Sequence, residues 1–271
     1  MTSPPALDIV IVSFNAREVL RTCLASLRAS EADEQRWRIT VVDNASRDGS
    51  AEVAEAVSGV DVVRLATNVG FAAANNIGIR RGIAPFVLVL NSDTVVGRGH
   101  LSAMLAAMRD APDVAALGPR LVDAEGRLEV SFGGMMSPWN EAKQKVLGVL
   151  YARRVALASR LVVRRAASPR VVDWVSGACM LVRRVDAEAV GLFDERYFMY
   201  AEDVDFCAAL RARGRKVLFW PGAEIVHLRG ASRAAAAEET ERAYRRSHLA
   251  FYAKHHPGWY WVLVGYQRLK R

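Results

Sequence analysis

At 271 residues and 52% hydrophobic composition, the chain is long enough to bury a large core, as one domain or as one with an appendage. Its net charge of +8 is unevenly placed: residues 1–132 carry 13 Lys/Arg against 16 Asp/Glu, and residues 133–271 carry 24 against 13. The basic half suits a polyanion, an anionic membrane surface or a pyrophosphate-bearing substrate. Cys23, Cys179 and Cys207 are odd in number, lack metal-ligand spacing and fit a reducing cytoplasm. The N-terminus shows neither the basic n-region nor the apolar h-region of an export signal. No run reaches the roughly 18–20 apolar residues that span a bilayer, so a soluble or peripheral protein is expected.

In chain order, strands are predicted over residues 7–13, 38–43, 60–65 and 86–90, alternating with helices over 17–29, 48–57, 71–81 and 101–109. This is the pattern of βα units on a largely parallel sheet. Asp48 or Ser50 is available near the N-cap of the second helix, and Gly82 ends the third as a C-cap would. Strands at 114–117 and 128–131 follow. Gly133-Gly134 then breaks the rhythm, and residues 141–165 have helical periodicity. Between 141 and 170 eight basic residues face one acid, Glu141. That segment is either a solvated helix pair or a basic amphipathic surface for membrane or lipid-linked substrate. An apolar strand pair is expected at 171–175 and 178–182, further strands at 217–220 and 225–227, and a helix over 233–255.

The chemistry gathers where strands should end, the edge at which open α/β sheets bind ligands. Asp93 in Leu90-Asn91-Ser92-Asp93-Thr94 follows one apolar run. Ser13 and Asn15 follow the first strand and Asp43 ends the second, so polar groups at neighbouring strand ends could bond a nucleobase edge, Asp43 accepting the N3–H of uracil or thymine. The same residue types also make caps and turns. Asn68 and Gly70 precede a helix of small residues, where a ligand could lie against backbone N–H groups at a positive helix end. Asn75, a poor helix former inside that helix, could touch the donor. No G-x-G-x-x-G follows the first strand, which counts against a dinucleotide cofactor. Well downstream, Glu202, Asp203 and Asp205 lie beside aromatic and apolar residues. One carboxylate for a divalent cation and a separate acidic cluster for a proton point to metal-assisted transfer from a phosphorylated donor.

The ordered set Val-Ser-Phe-Asn, Val-Asp-Asn-Ala-Ser, Asn-Val-Gly-Phe, Leu-Asn-Ser-Asp, Gly-Ala-Cys-Met-Leu-Val-Arg-Arg and Phe-Asp-Glu…Tyr-Ala-Glu-Asp-Val-Asp resembles the family 2 glycosyltransferases, most closely their rhamnosyltransferase-like branch. The resemblance covers roughly residues 7–256. It implies a GT-A fold, a nucleotide-sugar donor, a divalent metal and inversion at the anomeric carbon. Asp43 matches the position that contacts the pyrimidine, and Asn91-Ser92-Asp93 matches the family's D-x-D motif, with Asp93 as metal ligand. Asn91 departs from that motif: it can bond a ribose hydroxyl but brings no charge to the metal. His227 stands where several relatives place a metal-contacting histidine, and is otherwise a core or turn histidine. Glu202-Asp203 matches the family's E-D pair, whose Asp deprotonates the acceptor hydroxyl, and Asp205 is assigned to structure. Trp174 and Gly177 fall in the region that lines the sugar and acceptor pocket in relatives, with core packing an equal reading for Trp174.

The resulting expectation is an α/β GT-A catalytic domain over residues 1–256, with a nucleotide-binding half at 1–132, a basic helical insertion at 133–172, an acceptor half at 173–256 and an aromatic, basic tail at 257–271. Its function is transfer of a sugar, rhamnose by preference, from a dTDP- or UDP-sugar with Mg²⁺ or Mn²⁺ to a glycan or polyprenyl-linked acceptor. It would work on the anionic inner face of the cell membrane, in cell-surface polysaccharide synthesis. Two alternatives stand beside it: a polyprenyl-phosphate glycosyltransferase for another hexose, and a non-catalytic basic module for membrane or nucleic acid. The second lacks the recurrent aromatic positions of single-strand binders, so no nucleic-acid partner is expected.

Overall fold

The computed structural model describes residues 5–30, 37–228 and 237–269. The first half contains β1 (Leu7–Ser13), α1 (Arg17–Ser30), β2 (Trp37–Asp43), α2 (Ser50–Glu55), β3 (Val60–Arg64), α3 (Phe71–Arg81), β4 (Phe86–Asn91), β5 (Thr94–Val96), α4 (His100–Asp110), β6 (Val114–Val122) and β7 (Phe132–Gly133). The second contains α5 (Pro138–Ala152), α6 (Ala156–Arg165), β8 (Arg170–Val172), β9 (Trp174–Val175), β10 (Cys179–Arg183), α7 (Arg184–Ala189), α8 (Glu202–Ala212), β11 (Lys216–His227), α9 (Ala237–His255) and α10 (Pro257–Leu269).

A nine-stranded sheet runs in the order β3-β2-β1-β4-β10-β6-β11-β5, with β8 added alongside β11. The pairs among β1 to β4 are parallel, as is β6 with β11. Central strands covered on both faces read as continuous apolar runs, and Phe86–Leu90 of β4 is buried throughout. Two apolar clusters, one around Ile9, Leu24, Leu88 and Met104 and the other around Val10, Val89, Met180 and Phe206, pack on this sheet.

The single antiparallel strand at the centre brings distant segments together. β10 lies between β4 and β6, antiparallel to both, so it starts where β4 ends. The Asn91 N–H donates to the Ala178 carbonyl at 2.9 Å, which sets residues 176–178 against Asn91–Asp93. β11 reaches the same edge from the other side, where His227 pairs with Thr94 of β5.

Several elements differ from expectation. Residues 171–175 and 178–182 do not pair with each other: β8 joins β11, β9 joins β7, and β10 enters the main sheet. Residues 128–131 form no strand beyond one bridge, Val122 with Leu128, because the chain there turns to meet the next segment, Ser176 N–H donating to Ser131 O. Residues 217–220 and 225–227 belong to one strand whose register shifts between Phe219 and Glu224, where Pro221 cannot donate to the ladder. Gly82 does end α3, but at φ −95 and ψ 166, without a left-handed turn. The reason for glycine is proximity, since a Cβ there would strike the Asp8 carboxylate. The second helix begins only at Ser50, because Asp48 accepts the N–H groups of Arg17 and Ser50. Of the helix expected over 233–255, residues 233–236 lie outside the described residues.

Candidate active site

A cleft of about 320 Å³ opens at the strand edge just described. Among its lining residues are Asn68, Gly70, Asn91, Asp93, Gly177, Glu202, Asp203 and His227. These come from both halves of the chain, up to 159 positions apart, and meet because β10 begins beside the end of β4 and β11 ends beside the start of β5.

On one side lie the acids that begin α8. The chain enters this helix through two consecutive left-handed residues, Tyr200 at φ 69 and Ala201 at φ 65. Such conformations are uncommon for residues other than glycine and collect at functional sites. Tyr200 is thereby placed in the cleft wall. The Asp203 carboxylate accepts the N–H of Gly177 at 3.0 Å and that of Val204 at 2.8 Å. Glu202 is 6% exposed, and its Oε2 has no hydrogen-bond partner among the described residues. Burial, reinforced by the neighbouring Asp203 charge, pushes Glu202 well above the usual carboxylate range. Burial also raises Asp203, but its two N–H donors oppose the shift. Of the two, Asp203 is therefore the more acidic.

Across the cleft stands a three-residue chain. His227 Nε2 lies 3.1 Å from Asp93 Oδ1, and its Nδ1 lies 3.0 Å from Glu129 Oε2. Asn91 Nδ2 approaches Nε2 at 3.4 Å. Burial works against a charged imidazole, but the hydrogen bonds from the two carboxylates overcome it and push its pKa up to about 9. A divalent cation suits this donor set once it displaces the Nε2 proton: Asp93 offers an anionic oxygen, His227 then offers a nitrogen, and Glu129 fixes the ring from behind as carboxylates do for metal-ligating histidines. Among the described residues no group of three or more His, Cys, Asp or Glu forms a complete cation cage. A cation held here would draw its remaining ligands from water or a bound substrate.

Five expected residues do not line the cleft. Ser13 and Asp43 are paired in register at the ends of β1 and β2, beside the lining residues Val12, Phe14 and Asn44. Ser13 Oγ and Asp43 Oδ1 are both buried without a partner, while Asp43 Oδ2 accepts the Ser46 N–H. Asn15, at φ 49, accepts the Arg47 N–H and so shapes the loop after β2. Asn75 is fully buried; its amide donates to Phe71 O one turn back, and its Oδ1 has no partner among the described residues. Trp174 Nε1 donates to Gly134 O, and its ring packs against the second apolar cluster and the one around Tyr197 and Phe251.

The open helix end expected at Gly70 also needs correction. The N–H of Val69 goes to Asn44, that of Gly70 to Asn68, and that of Phe71 to the Phe198 carbonyl at 2.6 Å. Gly70, at φ 87, is required because a Cβ would collide with that same carbonyl. The residue thus docks the segment before α8 onto α3.

Sequence reasoning missed Glu129, because it sits in a stretch that reads as an ordinary strand and only the fold brings it to His227. Asn44 was within reach, since it immediately follows Asp43 in a quoted motif. Asp205, assigned to structure, is 2% exposed and held by Tyr197, Lys254 and His255.

Comparison with known proteins bears on the whole of this architecture. The profile of Glycosyl transferase family 2 matches residues 8–154, and that of Glycosyl transferase family group 2 matches residues 86–250. The chain is 33% identical over 276 residues to the N-acetylglucosaminyl-diphospho-decaprenol L-rhamnosyltransferase of Mycobacterium tuberculosis, covering 96% of this chain and 89% of that one. It is 25% identical to Rhamnosyltransferase WbbL of Escherichia coli, over 81% of this chain and 82% of the relative. The mannosyltransferase PcManGT from Pyrobaculum calidifontis, solved with GDP-Man and Mn²⁺, matches with a TM-score of 0.63 at 19% identity, over 97% of this chain and 69% of that structure. The fold is accordingly GT-A, and with one profile over more than half its length and a relative one-third identical along nearly all of it, the chain belongs to glycosyltransferase family 2.

Proposed function

We propose that this glycosyltransferase moves rhamnose, with inversion, from a dTDP- or UDP-sugar to a lipid-linked glycan acceptor in cell-surface polysaccharide synthesis. The observation that carries the reading is one cleft with a hydrogen-bonded carboxylate, Asp203, on one wall and the Asp93–His227 pair on the other. The names of the two rhamnosyltransferase relatives support the sugar, and that of the mycobacterial relative supports a diphospho-polyprenol acceptor.

In this reading the acceptor hydroxyl attacks the anomeric carbon as the bond from that carbon to the donor β-phosphate oxygen breaks. The hydroxyl proton passes to Asp203, and the nucleoside diphosphate leaves. A sugar hydroxyl is a poor nucleophile, so a carboxylate within reach of its proton lowers the barrier. Gly177 and Val204 N–H groups orient Asp203, and protonated Glu202 keeps a second negative charge away from the incoming oxygen. Mg²⁺ or Mn²⁺, held by Asp93, His227 and the diphosphate, would offset charge growing on the leaving group. The unpartnered oxygens of Ser13 and Asp43 support a base-reading role beside the cleft. Because the acceptor carries a lipid, we place the enzyme on the cytoplasmic face of an anionic membrane. No described helix is long and apolar enough to cross one.

The test is label transfer from dTDP-rhamnose and UDP-rhamnose to a polyprenyl-diphospho-N-acetylglucosamine, with and without Mn²⁺. Metal-dependent transfer lost in Asp93→Ala is expected. Undiminished transfer in Asp93→Ala, or none from either donor in the wild type, would overturn the reading.

A further inference from the structure

A second cavity, of about 450 Å³, lies between α5, α6, β8 and the antiparallel β7–β9 pair. It is larger than the cleft and contains none of the groups assigned to donor or base. Its walls combine apolar Val130, Leu147, Val162 and Val172 with three cations, Lys143, Arg165 and Arg170. The two acids in its lining are already engaged. Glu129 bonds His227, and Asp173 pairs with Arg211 at 2.6 Å while accepting the Met135 N–H. The three cations, by contrast, have no ion-pair partner among the described residues, and Arg170 Nε is shielded from solvent with no acceptor. A guanidinium nitrogen left so is costly unless an acceptor reaches it. The cavity therefore carries uncompensated positive charge against an apolar wall, which fits an anion joined to a hydrocarbon chain.

Two links connect it to the cleft. Glu129 lines the cavity while its carboxylate holds His227 of the cleft. The run from Asp173 to Ser176 leads from one to the other, a distance of about 10 Å at strand rise. A ligand whose sugar hydroxyl sits at Asp203 can thus place an adjoining anionic, lipidic end among the three cations.

We propose that this cavity, built by α5 and α6, binds the diphosphate and first isoprene units of a polyprenyl-diphospho-sugar acceptor. The inference rests on the lipid-linked acceptor of the proposed function and assigns that substrate its own site, apart from the donor.

The experiment is calorimetric titration of farnesyl diphosphate into protein saturated with a nucleoside diphosphate and Mn²⁺, so that the cleft is filled. Arg165→Gln and Arg170→Gln should each weaken binding about tenfold or more, as expected for a lost charge-assisted hydrogen bond. Nucleoside diphosphate affinity should stay within twofold, and Arg21→Gln, on exposed α1, should leave both unchanged. Neither cavity arginine has a carboxylate partner to orphan, so the variants should keep the wild-type melting temperature. In transfer assays they should raise the acceptor KM and spare kcat. The proposal is overturned if both variants bind farnesyl diphosphate as the wild type does, or if inorganic pyrophosphate binds as tightly, which would make the apolar wall idle. It is also overturned if the nucleoside diphosphate competes for the same site. None of these outcomes touches metal-dependent nucleotide binding, so the donor-site reading stands or falls separately.

Discussion

Asp203 receives two backbone N–H groups while Glu202, adjacent in sequence and more deeply buried, leaves an oxygen bare. Two carboxyls at consecutive positions thereby differ in acidity, burial and the neighbouring charge raising Glu202 while backbone N–H groups hold Asp203 down. Asp203→Asn should keep the fold and nucleotide binding while lowering kcat by roughly two to four orders of magnitude, the span for loss of a general base. Turnover within threefold of wild type, measured on protein with an unchanged melting temperature, would reject the role. At this scale the sequence was legible where a motif named the residue. Asp93, His227 and Asp203 all reach the cleft. It was illegible where the partner is remote, as for Glu129, which lies 98 positions from His227. Asn75 meets its cost in helix propensity with a bond from its amide to the preceding turn, a compensation that the residue type alone does not announce.

At the scale of elements, the strands and helices of the first half could be read from periodicity because each βα unit is local. The second half could not, because β8, β9 and β10 are short and each chooses a different partner. Apolar pattern alone does not specify which strand a short segment joins. The placement of α8 likewise depends on a contact far along the chain. Asp205, on the helix face away from the cleft, accepts Lys254 at 2.8 Å and His255 at 2.6 Å, both on α9, as well as Tyr197 Oη at 3.2 Å. This buried carboxylate ties α9 to the helix whose first turn carries Glu202 and Asp203. Removing it leaves the Tyr197 hydroxyl and the His255 ring without their shared acceptor while Lys254 keeps Asp194 at 2.9 Å, so Asp205→Ala should cost about 2 kcal/mol, as expected for buried polar groups left unpaired. Chemical denaturation would measure the loss. A change under about 0.5 kcal/mol, typical of surface substitutions, would show that the network does not hold the helices together.

Across the whole molecule, charge and apolar exposure coincide on one set of elements. α5 has no buried residue in 15, and it exposes Trp139, Val146, Val149 and Leu150. α6 adds Leu157, Leu161 and Val163, and α10 exposes Trp259, Trp261, Val262 and Tyr266 while Leu263 packs on the protein. Helices of this kind gain by lying in a headgroup layer, where Trp and Tyr are favoured. α9 presents less free charge than its composition implies, because Arg245 and Lys254 are spent in ion pairs. Much of the free basic charge is on α5, α6 and the turn between them, where Lys145, Arg153, Arg154, Arg160 and Arg164 are exposed, and each such charge near an anionic leaflet is worth about 1 kcal/mol. The apolar and electrostatic contributions should therefore separate. A chain ending at His256, or the full chain with Trp259 and Trp261 changed to Ser, should sediment less with anionic vesicles at any salt concentration. Replacing Arg153, Arg154 and Arg160 with Gln should instead abolish most of the salt sensitivity, since screened charge is what salt removes. Equal co-sedimentation of the wild type, the truncated chain and the Trp variant would rule out α10 as an anchor. Salt sensitivity surviving the triple Gln change would place the electrostatic contact elsewhere than α5, α6 and the turn between them.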